Sequence, residues 1–149
     1  MLSAEESGAG DEGGEGAVTR PDPLVTEDSE VFWAAADESR LVAQRCSSCG
    51  RLRHPPRPMC PHCHSLDFTA QELSGRGTLY SYAILHHPQN PLFEYPVLAA
   101  LVDLDEGVRL MSNLRGVDPP DIRIGMKVQV GYEATSGGHQ VPVFDPVRP

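Results

Sequence analysis

The sequence predicts a mainly β protein in which a short N-terminal helix precedes a small cysteine-rich module and a five-stranded antiparallel barrel. Two observations carry this prediction. Four cysteines stand in two close pairs between residues 46 and 63, and five short runs with β-type patterning follow between residues 79 and 144. No long helical pattern separates these runs, which is typical of a small antiparallel barrel rather than of an α/β fold.

The acidity of the chain is confined to its beginning. The 149 residues carry a net charge of −9, but nine acidic side chains and only one basic one, Arg20, fall within residues 1–30. Residues 1–25 are rich in glycine and acidic side chains, so we expect a disordered tail or a linker to a preceding domain. The remainder is near neutral and shows no signal peptide or membrane span, which favours a cytoplasmic protein that binds no membrane.

A helical segment is expected over residues 26–45. Thr26 is a suitable N-cap, acidic residues fill the first turn, and an apolar stripe continues to about Leu41. Phe32 and Trp33 lie on or beside this stripe. They either pack on the domain itself or anchor a partner protein, because aromatic side chains on a terminal helix make good interface hot spots.

The cysteines form two knuckles, Cys46-x-x-Cys49 and Cys60-x-x-Cys63, separated by ten residues. Each knuckle offers two thiolates to one tetrahedral ion, so we expect a single zinc in a rubredoxin-like ribbon spanning residues 46–70. Four thiolates leave no open coordination position, which makes the zinc structural. The alternative, an iron centre in an electron carrier, uses similar knuckles but lacks an accompanying flavin or nicotinamide motif.

After the ribbon, residues 74–147 are expected to form an OB-fold, the five-stranded Greek-key barrel. Short alternating or apolar runs are bounded by glycine, proline and acidic turn residues. The five predicted strands are residues 79–85, 95–104, 108–114, 126–133 and 140–144.

The stretch from residue 40 to residue 63 contains five arginines and no acidic residue. Arginine forks bind phosphates, so a nucleic acid, a nucleotide or the phosphates of coenzyme A are candidate ligands. Arg51, Arg53 and Arg57, beside the proline-rich ribbon loop, are the first candidates. The alternative is that these arginines balance the zinc–thiolate charge and contact acidic groups of a partner.

Direct catalysis has little support in the sequence. We find no nucleophile placed beside a base, no pair of carboxylates with separable environments and no glycine-rich phosphate loop. Nucleic-acid binding by a ribbon and an OB-fold is the main alternative function. It is disfavoured by the near-neutral charge, the single lysine and the lack of a row of aromatic residues on the strands.

The order of these motifs resembles the family of zinc-ribbon/OB-fold proteins associated with acyl-CoA metabolism, a domain of unknown function. The resemblance covers about residues 30–147. It is carried by Phe32-Trp33, the two cysteine knuckles with Gly50, His54-Pro55-Pro56-Arg57, Gly75-x-Gly77-x-Leu79-Tyr80-Ser81, Pro96-Val97-Leu98-Ala99, Asp105-Glu106-Gly107, Ile124-Gly125-Met126-x-Val128 and Val143-Phe144.

The resemblance implies a non-catalytic accessory subunit that docks on a thiolase or a thiolase-like aldolase in a hetero-oligomer. It also implies an acyl-CoA thioester near the interface, in a channel that both proteins form, and a link to steroid side-chain degradation. Similar modules are commonly fused behind an enoyl-CoA hydratase domain. The chain is therefore expected to be either a stand-alone subunit or the C-terminal domain of such a hydratase.

Overall fold

The computed structural model describes residues 20–148, so most of the predicted tail or linker, residues 1–19, lies outside the described residues. One α-helix and eight strands follow one another along the chain. They are α1 (Glu30–Asp37), β1 (Val42–Cys46), β2 (Leu52–Arg53), β3 (Phe68–Glu72), β4 (Arg76–Leu85), β5 (Val97–Leu104), β6 (Arg109–Asn113), β7 (Lys127–Ala134) and β8 (Gln140–Pro146), with a 3-10 turn at Pro119–Asp121 between β6 and β7. None of the helices in residues 20–148 has the length and hydrophobicity of a transmembrane segment.

The helix is shorter than the helical segment expected over residues 26–45. Thr26 does not cap it: the Thr26 carbonyl accepts from Ser29 N (3.0 Å) in a preceding turn, and Ser29 is the N-cap residue. The helix ends after Asp37, where Ser39 takes a positive φ of 57°. The following residues are extended because their backbone pairs with two neighbouring strands, and this tertiary pairing overrides the local helical pattern.

The cysteine-rich module is built on a three-stranded antiparallel sheet in the order β2-β1-β3. β1 is the central strand, with Gln44 opposite Arg53 on one side and Cys46 opposite Phe68 on the other. The first ligand cysteine is therefore the last residue of a strand that is paired on both sides, which fixes the start of the first knuckle.

The second sheet confirms the predicted five-stranded antiparallel barrel, with strand order β6-β5-β4-β7-β8. Its two outer strands come together where Leu114 bridges Phe144 and Arg115 N donates to Phe144 O (2.9 Å), which nearly closes the barrel. β5 shows strict alternation of buried and half-buried residues, as expected for a strand with one face in the core. The most deeply buried side chains include Phe144, Leu79, Val102, Val128 and Val143.

The helix packs against β8 and β1, and a carboxylate holds its C-terminal end in place. Asp37 accepts a hydrogen bond from Gln140 N (2.9 Å) and lies 3.0 Å from His139 Nδ1. These hydrogen bonds lower the pKa of Asp37, the Gln140 N–H being the largest cause. The helix is thus anchored at the turn that leads into the last strand.

Gly77 on β4 offers a test of the barrel packing. A Cβ added to this buried residue would lie 2.6 Å from the carbonyl oxygen of Asp103 and 2.7 Å from Val102 Cγ1, both on the paired strand β5. We expect Gly77→Ala to lower the free energy of unfolding by about 1–3 kcal/mol, because the barrel must shift to admit the methyl group. Thr69→Ala, at an exposed position on β3, is the control and should change it by less than about 0.5 kcal/mol. Equal denaturation midpoints for the two variants would contradict the packing at Gly77.

Candidate metal centre and apolar groove

The structure brings the four cysteines together in one cluster. The four sulfur atoms lie within 4.8 Å of one another, with two cysteines buried, one half-buried and one exposed. In each knuckle the chain turns back on itself: Gly50 N donates to Cys46 O, and His64 N donates to Cys60 O, both at 2.9 Å. Gly50 and His64 both adopt positive φ, of 75° and 64°. The two knuckles therefore share one backbone geometry, although only the first has glycine at the turn.

Backbone N–H groups favour the thiolate form of two of these cysteines, which is the form that binds a metal cation. The N–H of Cys49, and then that of Ser48, lowers the pKa of Cys46 to about 6. The N–H groups of Cys63 and His62 likewise lower the pKa of Cys60. For Cys63, an N–H from Ser65 favours the thiolate, but hydrogen bonding to the other sulfurs outweighs it and raises the pKa to about 11. All four can be thiolates only if a metal ion balances their charge.

The three arginines singled out in the sequence do not share one surface. Arg53 is only 7% exposed: its Nε donates to Gln44 Oε1 (2.6 Å), its Nη2 donates to the Arg57 carbonyl oxygen (3.3 Å), and its guanidinium carbon lies 5.5 Å from the Phe68 ring centroid. Arg53 therefore supports the proline-rich loop from the protein interior and is not available to a ligand or partner at the surface. Arg51 and Arg57 are exposed, and their side chains make no hydrogen bond or ion pair within residues 20–148.

Several other arginines are paired with acids, which reduces the positive surface that is free to bind a nucleic acid. Arg109 and Asp103 form a bidentate pair (2.6 and 3.0 Å), and so do Arg115 and Asp145 (2.8 and 2.9 Å). Arg40 is likewise bound to a carboxylate, that of a neighbouring glutamate. The nucleic-acid alternative gains no support from this distribution.

The two aromatic residues of the helix have different positions. Phe32 is buried, with its ring centroid 5.0 Å from that of Trp33 in an edge contact and 5.2 Å from that of His54. Trp33 is half-buried and faces a groove. Phe32 thus packs on the domain itself, whereas Trp33 remains available to a ligand or a partner.

That groove has a volume of about 690 Å³. It lies where α1, the proline-rich ribbon loop, the segment between β4 and β5, and strand β6 meet. Its surface is mainly apolar, and the residues that shape it include Phe32, Trp33, His54, Pro55, Pro56, Phe93, Tyr95 and Met111. Sequence reasoning singled out the helix aromatics and used the proline run as a family motif. It missed the other walls, because they are far apart in sequence and only the fold brings them together.

The groove continues onto an exposed apolar part of the barrel. Leu85 on β4 and Met111 on β6 line it and are 42% and 75% exposed. Met111 also borders a second hollow of about 160 Å³ beside Tyr82 and Leu101. Contiguous exposed apolar surface of this kind is typical of interaction sites.

Comparison with known proteins agrees with this architecture. Residues 33–69 match the profile described as "ChsH2, rubredoxin-like zinc ribbon domain", and residues 70–133 match "ChsH2, C-terminal OB-fold domain". A chain of the Ltp2-ChsH2(DUF35) aldolase has a similar structure, with a TM-score of 0.80 and 46% identity over 84% of this chain and 98% of that chain. The predicted single structural zinc site with four cysteine ligands fits the ribbon match and the sulfur cluster.

Two longer relatives also match. A probable enoyl-CoA hydratase alpha subunit of Thermomonospora curvata is 46% identical over 87% of this chain and 41% of its own length. The 3-oxo-4,17-pregnadiene-20-carboxyl-CoA hydratase alpha subunit of Mycobacterium tuberculosis is 39% identical over 74% of this chain and 35% of its own length. The chain therefore spans about two fifths or less of the length of these relatives.

Metal analysis tests the cysteine cluster. We expect a colourless protein with one zinc per chain, and loss of the zinc in Cys60→Ser, since Cys60 is a buried member of the cluster. The ribbon of that variant should unfold at a lower temperature, because structural zinc contributes on the order of 10 kcal/mol to the folding of small modules. Ser47→Ala, an exposed change inside the first knuckle, should retain zinc and thermal stability. A red, iron-containing protein would contradict the assignment.

His54 makes stability depend on pH. Burial lowers its pKa from the ordinary 6.5 to about 4, so the unfolded chain takes up the proton first as the pH falls. The contribution of neutral His54 is complete above about pH 6.5 and is lost towards pH 4, with about 2 kcal/mol lost by pH 5. In urea unfolding at pH 7 and pH 5, His54→Asn should lose less stability than the parent chain by this amount. The exposed control His86→Asn should follow the parent; equal losses in all three proteins would disprove the role of His54.

Proposed function

The chain belongs to the DUF35 family, with a ChsH2-type zinc ribbon and OB-fold, and we propose that it is a non-catalytic accessory subunit or domain of a thiolase-superfamily enzyme. In this role it binds and stabilises an aldolase or thiolase that acts on an acyl-CoA thioester. The observation that carries the proposal is the similarity over 98% of a chain of the Ltp2-ChsH2(DUF35) aldolase.

The chemistry of the described residues supports an accessory role. A zinc ion with four thiolate ligands has no position for a substrate or a reactive water, so it stabilises the ribbon only. Within residues 20–148, no serine, threonine or cysteine side chain hydrogen-bonds to a histidine ring, the arrangement that commonly activates a hydroxyl or thiol nucleophile. We therefore assign the bond-breaking step to the partner enzyme.

The exposed surfaces suggest which residues contact the partner and its substrate. Trp33 and Met111 present apolar area beside the ribbon, which suits an interface core. Arg51 and Arg57 project from the ribbon with no acidic partner in the described chain, which suits the phosphates of coenzyme A or acidic groups of the partner. Together these surfaces would form part of a channel for the thioester. A role in steroid side-chain degradation is supported by the name of the Mycobacterium tuberculosis relative.

Co-purification tests this function. The chain, tagged and produced together with a thiolase-fold protein of the same organism, should purify with that protein as one complex and raise its yield and its thermal stability. Recovery of ribosomal or replication proteins from native extracts, with no thiolase-fold protein, would overturn the proposal.

The two exposed arginines can be examined in the same complex. Arg51→Ala with Arg57→Ala should raise the KM for the CoA thioester or weaken the complex by about tenfold, the loss expected for one or two charge-assisted hydrogen bonds. Arg76→Ala with Arg148→Ala is the matched control, because both side chains are exposed and lie outside ribbon residues 46–70, and it should leave both quantities unchanged. If the two double variants behaved alike, the ribbon arginines would have no specific role.

A further inference from the structure

The hydrogen bonds between β5 and β6 show which backbone groups of β6 face away from the sheet. Leu114 N donates to Leu98 O (3.0 Å) at one end of this pairing, and the bond at the other end again joins two even-numbered residues. In an antiparallel ladder, residues that exchange hydrogen bonds alternate with residues that do not. The even-numbered residues of β6 therefore bond to β5, and the N–H and C=O groups of Arg109 and Met111 point towards the outer edge.

This edge of β6 is open. β6 is an outer strand of the barrel sheet, and the described chain links it to β8 by a bridge at Leu114, beyond its last residue. Among residues 20–148, no backbone group bonds to the N–H or C=O of Arg109 or Met111. The side chain of Met111 is also 75% exposed. A second extended chain therefore finds free donors and acceptors here.

The facing edge strand, β8, is closed to such pairing. Gln140 N already donates to the carboxylate at the end of α1 (2.9 Å), and Phe144 O already accepts a backbone hydrogen bond (2.9 Å). Pro142 and Pro146, at the intervening and following positions of the same edge, have no N–H to offer. Proline on an edge strand is a common means of blocking further pairing. The edge that remains for another strand is that of β6.

The apolar groove runs beside this open edge and has a wall on its far side. Residues 110–113 of β6 line it, and so do Val141 and Pro142 of β8 and Trp33 of α1. Paired strands lie about 4.8 Å apart, so a strand bonded to β6 would lie in the groove with alternate side chains against its apolar walls. Because β8 and α1 bound the far side, the groove admits one extended segment and not the edge of another sheet.

This geometry decides between the possible occupants. The β6 strand of a second copy would bring its own β5 with it, where α1 and β8 leave no room, and its inward side chains, such as Leu110 at 3% exposed, are buried in its own barrel. Residues 1–19 of the chain itself hold five glycines and five acidic residues, which are depleted in strands. The occupant that fits is an extended, mainly apolar segment of a different protein.

The charges beside the groove favour a neutral or acidic segment. Arg20 is the one charged residue among those that line the groove in the described chain, and it is paired with Glu133 (3.3 Å). Arg57 follows the wall residue Pro56, is exposed, and has no acidic partner within residues 20–148. An acidic side chain at the ribbon end of the segment would pair with Arg57, whereas a basic segment finds no carboxylate in the walls.

We propose that the open edge of β6 and the apolar groove receive one extended segment of the thiolase-fold partner, which adds a strand to the barrel at Arg109 and Met111. In strand addition of this kind, main-chain hydrogen bonds supply affinity and pockets for alternate side chains supply specificity. The inference rests on the proposed function, which supplies the partner, and it specifies how that partner is bound.

Residue-resolved amide hydrogen exchange tests the added strand without any substitution. The full, zinc-loaded chain is measured alone and in complex with the thiolase-fold protein of the same organism. The Met111 amide should exchange rapidly in the isolated chain and at least about tenfold more slowly in the complex, because it gains an acceptor. The amides of Leu110 and Ser112, which bond to β5, should be protected in both states.

Proline substitution separates backbone pairing from side-chain contact. Met111→Pro removes an N–H that has no acceptor within the described fold and should weaken the complex at least about tenfold, whereas Met111→Val keeps the N–H and should weaken it less than about threefold. Ala70→Pro is the matched control, because Ala70 is exposed on the outer strand β3 and its N–H also points away from the neighbouring strand. It should bind the partner like the parent chain. Thermal midpoints check that each variant is folded.

The outcomes distinguish this inference from the proposed function. A complex in which the Met111 amide gains no protection, or in which Met111→Pro behaves like Met111→Val or Ala70→Pro, would refute strand addition and leave the accessory function intact. Failure to form any complex would refute both. A dimeric isolated chain with a protected Met111 amide would identify a second copy as the occupant and likewise overturn the inference.

Discussion

Four thiolates within 4.8 Å of one another repel each other strongly, and a cation between them is the constraint on which the rest of the ribbon depends. The metal holds the two knuckles together and so fixes the end of β1, which carries Cys46. Two residues earlier on β1, Gln44 is buried, and its side-chain oxygen accepts from Arg53 Nε and from Arg57 N (2.6 and 3.0 Å). The proline-rich loop that forms one wall of the groove is therefore tied, through one amide oxygen, to the strand that ends at the metal.

The buried guanidinium of Arg53 belongs to the same network of contacts. No carboxylate pairs with it in the described chain; its neighbours are an amide oxygen, a peptide carbonyl and the face of Phe68. A zinc tetrathiolate carries a formal charge of −2, and Phe68 is paired directly with Cys46 on the ribbon sheet. The zinc–thiolate cluster is thus built on the same ribbon sheet as Arg53, and its negative formal charge has the sign that favours a buried cation.

The sequence alone predicted the features that depend on a local motif or on a periodic pattern of residues. The zinc site follows from two cysteine knuckles, because each brings its ligands together without help from the fold, and the barrel follows from five runs whose alternation matches one buried face. The helix boundary was wrong because β1 pairs on both sides, and pairing with distant strands outweighs a helical stripe. Burial of Arg53 was missed because arginine side chains are usually exposed, and only the sheet places its partner Gln44 opposite. The groove was missed for the same reason: Trp33, Pro55, Tyr95 and Met111 come from four segments.

The groove lies at a place where two strands of the barrel, β6 and β8, are not fully paired. β6 and β8 meet at the Leu114–Phe144 bridge, and a little earlier on β6 the Ser112 hydroxyl donates to the Pro142 carbonyl oxygen (2.7 Å). Beyond these contacts, β6 and β8 are not paired with each other. An exposed strand edge can associate with other chains. Helix α1 covers part of this seam, held on β8 through Asp37. The groove is the part of the seam that the helix leaves open, so the element that protects the barrel edge also supplies Trp33 to the walls of the groove.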